Sequence, residues 1–278
     1  MIATRNRVEE LHRTLDRHSH LPERPAVIVV DNGSHDGTAT MVRNSFPQFG
    51  LVSLPANVGA EARTLGARLA TTPYVAFTDD DAWWEAGGLH SAIAAMSDDP
   101  SVGLVAAKVV VGENGIDDPT SRVMESGKYD ESWRATPLGR RAVVGFMGCA
   151  AVVRRRAFLS TGGFDPYLFI GGEEEHVAIG LADAGWKLIY VPVATVRHHP
   201  SSRRESRVRR SLLARNEILT ACLHYSAQRC FDRWFHPEAG DDRSSMWRGR
   251  VAATRSLSWA LARRRTAQRA LEEAFASA

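Results

Sequence analysis

AVIVVDNGSHDGTATMVRNSF, residues 26–46, runs five apolar, mostly β-branched residues into Asp31, turns through a glycine-bearing polar stretch, and resumes with apolar residues at helical spacing. A continuous β-branched run reads as a strand buried on both faces, and the segment after Gly37 reads as a helix. Together they predict one βα unit. The alternation recurs downstream, with LVSLPAN (51–57) as a short strand, EARTLGARLAT (61–71) as a helix and PYVAFTD (73–79) as another buried strand. Short connections between such elements predict parallel pairing in an α/β sandwich, with ligands expected at the C-terminal ends of the strands.

Further along, LHSAIAAMSDD (89–99) reads as a helix, VGLVAAKVV (102–110) as a strand, and residues 112–140 as a polar, glycine-containing loop long enough to be functional. AVVGFMGCAAVVRR (142–155) reads as a strand, AFLSTGG (157–163) as a short helix stopped by glycine, EEEHVAIGLADAG (173–185) as a helix and WKLIYVP (186–192) as the last strand. After Pro200 the pattern becomes arginine-laced helix, broken at HPEAGDDRSS (236–245). The expected organisation is a body over residues 1–200 and a basic, mainly helical extension over 201–278.

The chain of 278 residues, 44% hydrophobic and 24% charged, has ordinary globular composition. Residues 201–278 hold sixteen arginines, no lysine and eight acids, a balance of +8; against +3 for the whole chain, residues 1–200 stand at −5. An acidic body thus carries a basic arm suited to an anionic partner. That arm lacks the interleaved aromatics of a nucleic-acid stacking surface. Cys149, Cys222 and Cys230 are too few and too scattered for a disulfide framework or a zinc site, which favours a reducing, cytoplasmic setting. The longest apolar run, residues 142–153, falls short of the roughly 20 residues that span a bilayer. Peripheral contact with the inner membrane face through the basic arm is the remaining membrane expectation.

Chemistry concentrates at one strand end. Asp79-Asp80-Asp81 follows the strand 73–79, and its D-x-D spacing can direct two carboxylates toward a divalent cation while the middle one points away. The competing reading is a solvated turn in which Asp81 caps a helix. Asp31 ends the strand 26–31 and offers an acceptor at the sheet edge, and Arg63 lies one turn into a helix. GGEEEHVAIG (171–180) sets three glutamates at a helix start, where mutual repulsion raises at least one pKa toward general-base values. The alternative there is acidic decoration that favours the helix dipole.

ATRNR (3–7), VVDNGSHDGT (29–38), NVGAEARTLG (57–66), FTDDDAWW (77–84), FMGCAAVVRRRAF (146–158), GGFDPYLFIGGEEE (162–175) and GWKLIYVPVATVRHHPS (185–201) occur in this order. Over about residues 1–220 the set resembles inverting family 2 glycosyltransferases of the GT-A fold, nearest to bacterial rhamnosyltransferase-like members. The resemblance implies a Rossmann-like mixed sheet between helices and transfer of a sugar from a UDP- or dTDP-linked donor to a saccharide or lipid-linked hydroxyl. It implies that Thr4, Arg5, Asp31, Asn32 and Arg63 line the nucleotide pocket, with Asp31 and Arg63 selecting the base, and that Asp79 lies near the ribose and donor sugar. Asp80 either touches the donor or makes structural bonds. Asp81 would hold Mg²⁺ or Mn²⁺ bridging the diphosphate, with His198 as a further metal or phosphate contact or a structural histidine.

Aligned from the double glycine, Glu174 takes the place of the family's catalytic aspartate, with Glu173 and Glu175 as alternates. Trp83 and Trp84 divide between a sugar platform and the core, and Gly148 and Cys149 either approach the donor sugar or simply pack tightly. His12, His18 and His20 fall on polar helix faces. Only Met1 and Ile2 precede ATRNR, where the family has a full strand, so either the central strand is short and its pocket less supported or the chain starts further upstream. Two other classes compete: a non-catalytic nucleotide-sugar binding module, and a sugar nucleotidyltransferase, against which the glycine-free ATRNRVEE argues.

Overall fold

The computed structural model describes residues 1–126, 141–200, 207–236, 242–267 and 272–274. In chain order the elements of the first half are β1 (Ile2–Thr4), α1 (Val8–Ser19), β2 (Ile28–Asp31), α2 (Thr38–Ser45), β3 (Gly50–Ser53), α3 (Glu61–Leu69), β4 (Tyr74–Asp79), β5 (Ala82–Trp84), α4 (Gly88–Asp98) and β6 (Val102–Val111). There follow β7 (Ile116–Asp117), α5 (Pro119–Ser126), β8 (Arg141–Ala142), β9 (Ala151–Arg154), α6 (Arg155–Ser160), α7 (Glu173–Asp183), β10 (Lys187–His198), α8 (Arg207–His224), α9 (Ala227–Phe235) and α10 (Arg243–Ala262).

The main sheet runs β3-β2-β1-β4-β9-β6-β10-β5. β1, β2, β3 and β4 are mutually parallel, as the alternation predicts. β9 then enters antiparallel to both β4 and β6, so the sheet is mixed. Hydrophobic runs report that a strand is buried on both faces and say nothing of its direction. The strand expected over residues 142–155 divides into the end of β8 and β9, because residues 144–149 between them wall a cleft. The loop expected over 112–140 holds β7 and α5; residues 127–140 lie outside the described residues.

β1 is short, with three residues, and central. Ile2 pairs with Val29 on one side and Thr78 on the other. Helices cover both faces of the sheet. Phe77, Phe158 and Phe164 pack ring against ring, with centroids 5.2–5.7 Å apart, beneath α6 and α7. Trp84, Leu89, Met96, Val105 and Ile189 build the other core layer. Trp83 is also buried, stacked on His199 at 4.8 Å with Arg17 5.5 Å from its ring. Neither tryptophan is therefore a sugar platform: β5 pairs with β10 and turns both rings inward. His18 is likewise buried, its Nδ1 2.8 Å from the Thr14 carbonyl, and burial pulls its pKa down to about 4. It faces the core, unlike the exposed His20 beside it.

The arginine-laced segment folds back onto the body. α8 packs against α7 and α10, and Ser226 caps α9 by accepting from the Arg229 N–H. The sharp turn at Ser226 brings the Cys222 and Cys230 Cα atoms to 5.0 Å, and the two form a disulfide; Cys149 is buried in the body, outside that bond. By number and spacing the three cysteines read as too few and too scattered for a disulfide framework; one bond forms nonetheless, because a chain reversal that residue counting does not show brings two of them together. Among the described residues no helix is long and apolar enough to cross a membrane.

Candidate active site

The C-terminal ends of β1, β2 and β4 open into a cleft of about 900 Å³. Thr4, Arg5, Asn32, Arg63, Asp79, Asp80, Glu173, Glu174, Glu175 and His198 all line it, so ten of the twelve sequence candidates meet at one place. Asp31 and Asp81 sit behind its wall. The Asp31 carboxylate accepts from the Ser34 N–H at 3.0 Å, closing the DNGS turn. Asn32 beside it faces the cleft and bridges two loops, donating to Gly59 O at 3.0 Å and accepting from the Val58 N–H at 2.7 Å.

The three aspartates have separate environments. Asp79 forms an ion pair with Arg63, so the structure joins Arg63 to Asp79 and not to Asp31. Burial works against the Arg63 charge, but Asp79, Glu173 and Glu174 outweigh it and hold the guanidinium above its ordinary pKa. Asp80 accepts the Thr4 hydroxyl at 3.0 Å; burial, with Asp79 and Asp81 alongside and Arg7 opposing, pushes its carboxyl up to about 7. Asp81 has a side chain only 1% exposed, with Arg7 Nη1 3.2 Å from Oδ2 and His198 Nε2 3.3 Å from Oδ1.

The Asp81–His198 contact is a consequence of pairing. β5 runs antiparallel to the end of β10, with His198 opposite Ala82, and the His199 N–H donates to Asp81 O at 2.8 Å. His198 lines the cleft and Asp81 backs it from behind the wall, a carboxylate–imidazole pair of the donor types that a divalent ion takes together with phosphate and water. Among the described residues no three His, Cys, Asp or Glu side chains gather as a cage, so these two donors fit an ion shared with a substrate. Arg7 is the site residue that sequence reasoning missed. It stands in the quoted ATRNR, but its reach to Asp80 (3.7 Å) and Asp81 depends on the turn between β1 and α1.

Opposite the aspartates, Gly172 caps α7 in the left-handed region at φ 81° and the three glutamates fill its first turn. Glu173 is buried with Oε2 lacking a hydrogen-bond partner. Glu174 is half-buried, and its Oε1 lies 3.0 Å from where a Cβ on Gly148 would stand, so the carboxylate rests close against the glycine of the cleft wall. Burial raises the pKa of both, and nearby carboxylates add to it: Glu174 raises Glu173, and Asp79 raises Glu174. Glu175 accepts the hydroxyl of Tyr225, the residue just past the end of α8.

The loop that delivers α7 is held from the arm. Phe169 has φ +65°, strained for a side chain of its size, and its carbonyl accepts the Ala60 N–H at 2.6 Å. Gly59 is required at that approach, since a Cβ there would stand 2.1 Å from Phe169 O. The buried Asn216 of α8 donates to Leu168 O (2.7 Å), Ile170 O (3.1 Å) and Gly171 O (2.5 Å). Asn216→Ala strands these carbonyls, and we expect a loss of about 1–3 kcal/mol in thermal unfolding together with a fall in turnover. Unchanged melting would show that the loop holds its shape without α8.

α7 and α8 also meet through His176 Nδ1 and His224 Nε2, 2.8 Å apart. Burial depresses both pKa values; His224 falls to about 3, with His176 and Arg264 adding to the effect, while Asp165 partly opposes it at His176. The pair is neutral when folded and each ring takes a proton near 6.5 when unfolded, so its stabilisation is complete above about pH 6.5 and drains away as pH falls. Between pH 6.5 and 5 the loss should approach roughly 2 kcal/mol for His224. His224→Gln should flatten that slope in unfolding free energy measured against pH.

The sequence model of glycosyl transferase family 2 matches residues 1–161. The chain belongs to that family. It is a glycosyltransferase, an enzyme that transfers sugars, built on the GT-A fold. The N-acetylglucosaminyl-diphospho-decaprenol L-rhamnosyltransferase of Mycobacterium tuberculosis is 30% identical over 220 residues, covering 68% of this chain and 71% of that protein. Among solved structures, the mannosyltransferase PcManGT from Pyrobaculum calidifontis, in complex with GDP-Man and Mn²⁺, superposes with a TM-score of 0.60 at 23% identity, over 99% of this chain and 73% of that one. GalNAc-T7 with UDP, GalNAc and Mn²⁺ gives 0.66 at 17% identity, over 94% and 55%. These two likenesses bear on the fold of the glycosyltransferase.

Proposed function

We propose that this glycosyltransferase moves a sugar from a UDP- or dTDP-linked donor to an acceptor hydroxyl in a single inverting displacement. The observation that carries the reading is the facing of two charged sets across one cleft, Asp79, Asp80 and His198 with Asp81 behind them on one wall and Glu173–Glu175 on the other. Glu174 takes the proton of the acceptor hydroxyl as its oxygen bonds to the anomeric carbon, and the bond from that carbon to the donor diphosphate breaks on the opposite side. Its raised pKa makes it a better base than an ordinary carboxylate, and its partial exposure lets it meet the acceptor. Glu173, deeper and next to it, shares the acidic field, and Glu175 is engaged by Tyr225.

Asp81 and His198 would hold Mg²⁺ or Mn²⁺, which when bound neutralises the charge that develops on the leaving diphosphate. Asp79 and Arg63 orient the donor sugar side, and Thr4, Arg5 and Asn32 flank the nucleotide; Asp31 supports that wall by holding its turn. Arg209 of α8 also lines the cleft. Within the arginine cluster, Arg203 and Arg204 lie outside the described residues, Arg207 is exposed, and Arg210 sits 3.6 Å from Asp242, so Arg209 is the member placed to meet a phosphate. Likeness to the mycobacterial rhamnosyltransferase favours a rhamnosyl donor and a lipid-diphosphate-linked saccharide acceptor.

The test is a thermal-shift series of UDP, dTDP and GDP with and without Mn²⁺, followed by determination of the anomeric configuration of the product. A cognate nucleotide at a hundredfold excess over Kd should stabilise the protein by about 2.7 kcal/mol, and only with metal. Retention of configuration in the product would overturn the single-displacement mechanism.

A further inference from the structure

We infer that the outer face of the C-terminal helices is a docking surface for an anionic lipid bilayer. Val208, Phe231, Phe235 and Trp247 are 68, 60, 51 and 66% exposed. Large apolar side chains at such exposure, grouped rather than scattered, mark a surface that meets something. Phe231 and Phe235 stand one turn apart on α9 with ring centroids 4.5 Å apart. Trp247 follows two residues after Ser245, whose hydroxyl donates to Arg207 O at 3.3 Å, and one turn before Arg250, which donates to Phe235 O at 2.7 Å. These bonds sew the start of α8, the start of α10 and the end of α9 together, so the four apolar side chains stand on helix ends that meet.

Charge selects the occupant. The segment that carries the patch has sixteen arginines, no lysine and a balance of +8, and Arg207, Arg243 and Arg248 are exposed beside it, with Asp232 the exposed acid on α9. Aromatic rings at the headgroup level with cationic side chains around them are the composition of a helix that lies on an anionic membrane. The −5 body would turn away from the same surface. The patch also borders the cleft, because Val208 of α8 and Arg233 of α9 line its wall. Docking through α9 therefore brings the cleft mouth to the membrane, where a lipid-linked acceptor would be found. This last consequence rests on the proposed acceptor class; the docking itself does not.

The experiment is flotation of the full chain with vesicles of phosphatidylcholine alone or with about 30% phosphatidylglycerol, paired with a soluble assay of metal-dependent nucleotide binding. Wild type should float with the anionic vesicles and not the neutral ones, and should be released by high salt. A Phe231→Ser/Phe235→Ser/Trp247→Ser variant, and separately Arg243→Gln/Arg248→Gln, should each lower the bound fraction roughly tenfold, about 1.4 kcal/mol, with melting and nucleotide binding unchanged. Absence of flotation by wild type at low salt, or equal flotation of the aromatic variant, would overturn the proposal. So would concentration-dependent self-association that the aromatic variant abolishes while vesicle binding persists, which would assign the patch to a second copy of the chain. Absence of metal-dependent nucleotide binding by the wild type would count against the proposed donor chemistry, while the flotation result would stand by itself.

Discussion

Glu174→Gln should lower kcat by about 10²-fold or more while leaving nucleotide binding close to that of the wild type. The substitution keeps the shape of the side chain and its place beside Gly148, and removes only the capacity to accept a proton. It also removes a negative charge from the acidic field around Arg63, which still keeps Asp79 and Glu173 as partners. Glu173→Gln is the informative companion. Glu173 is the deeper carboxylate, with an unpartnered Oε2 and a pKa pushed up to about 8 by burial and by Glu174, so Glu173→Gln replaces a group that is largely protonated at neutral pH and should leave the pH profile of turnover close to that of the wild type. Since burial raises the Glu174 pKa, wild-type turnover should climb with pH through a range above that of an ordinary carboxylate. A full loss of turnover in Glu175→Gln with none in Glu174→Gln would move the base to the residue that Tyr225 now engages.

The sequence made the parallel half of the sheet legible because β2 and β4 are largely apolar runs, each ending in an aspartate. It also assembled the site: residues quoted from separate segments converge on one cleft. What it concealed was pairing and direction. No pattern within PYVAFTD or AVVR tells that β4 and β9 run antiparallel. Nor does AWW reveal that β5 would fold against the end of β10, which buries both tryptophans and sets Asp81 beside His198. Arg7 was unread for the same reason. Its role is created by a turn, not by its neighbours in sequence. In the arginine-rich arm, α8 directs Val208, Arg209 and Leu212 to the cleft, since the apolar stripe that packs on α7 and α10 sets the rotation of the helix, a rotation the run of arginines does not reveal.

Asp81→Asn should abolish the metal-dependent part of nucleotide binding and lower kcat/KM by at least about 10²-fold. Asparagine is the substitution to make, because the environment of Asp81 does not permit a clean truncation. The carboxylate is nearly inaccessible and meets both Arg7 and His198. Alanine would leave Arg7, itself only 16% exposed, facing Asp80 across a void, and the lost stability would be confounded with lost metal. Asparagine retains an acceptor for Arg7 and the volume of the side chain, yet it gives up the charge that a hard divalent cation requires. The readouts that separate metal from fold are titration of Mn²⁺ by electron paramagnetic resonance in the presence of nucleotide, and thermal melting without either. The expected result is unchanged melting to within about 1 kcal/mol with the bound Mn²⁺ signal gone. His198→Asn should weaken the same signal less, because a carboxylate contributes charge where imidazole contributes only a lone pair. If wild-type turnover survives exhaustive chelation, or if Asp81→Asn binds Mn²⁺ as the wild type does, the Asp81–His198 pair is a structural clasp between β5 and β10, and the diphosphate charge must be met by Arg7, Arg63 and Arg209 instead.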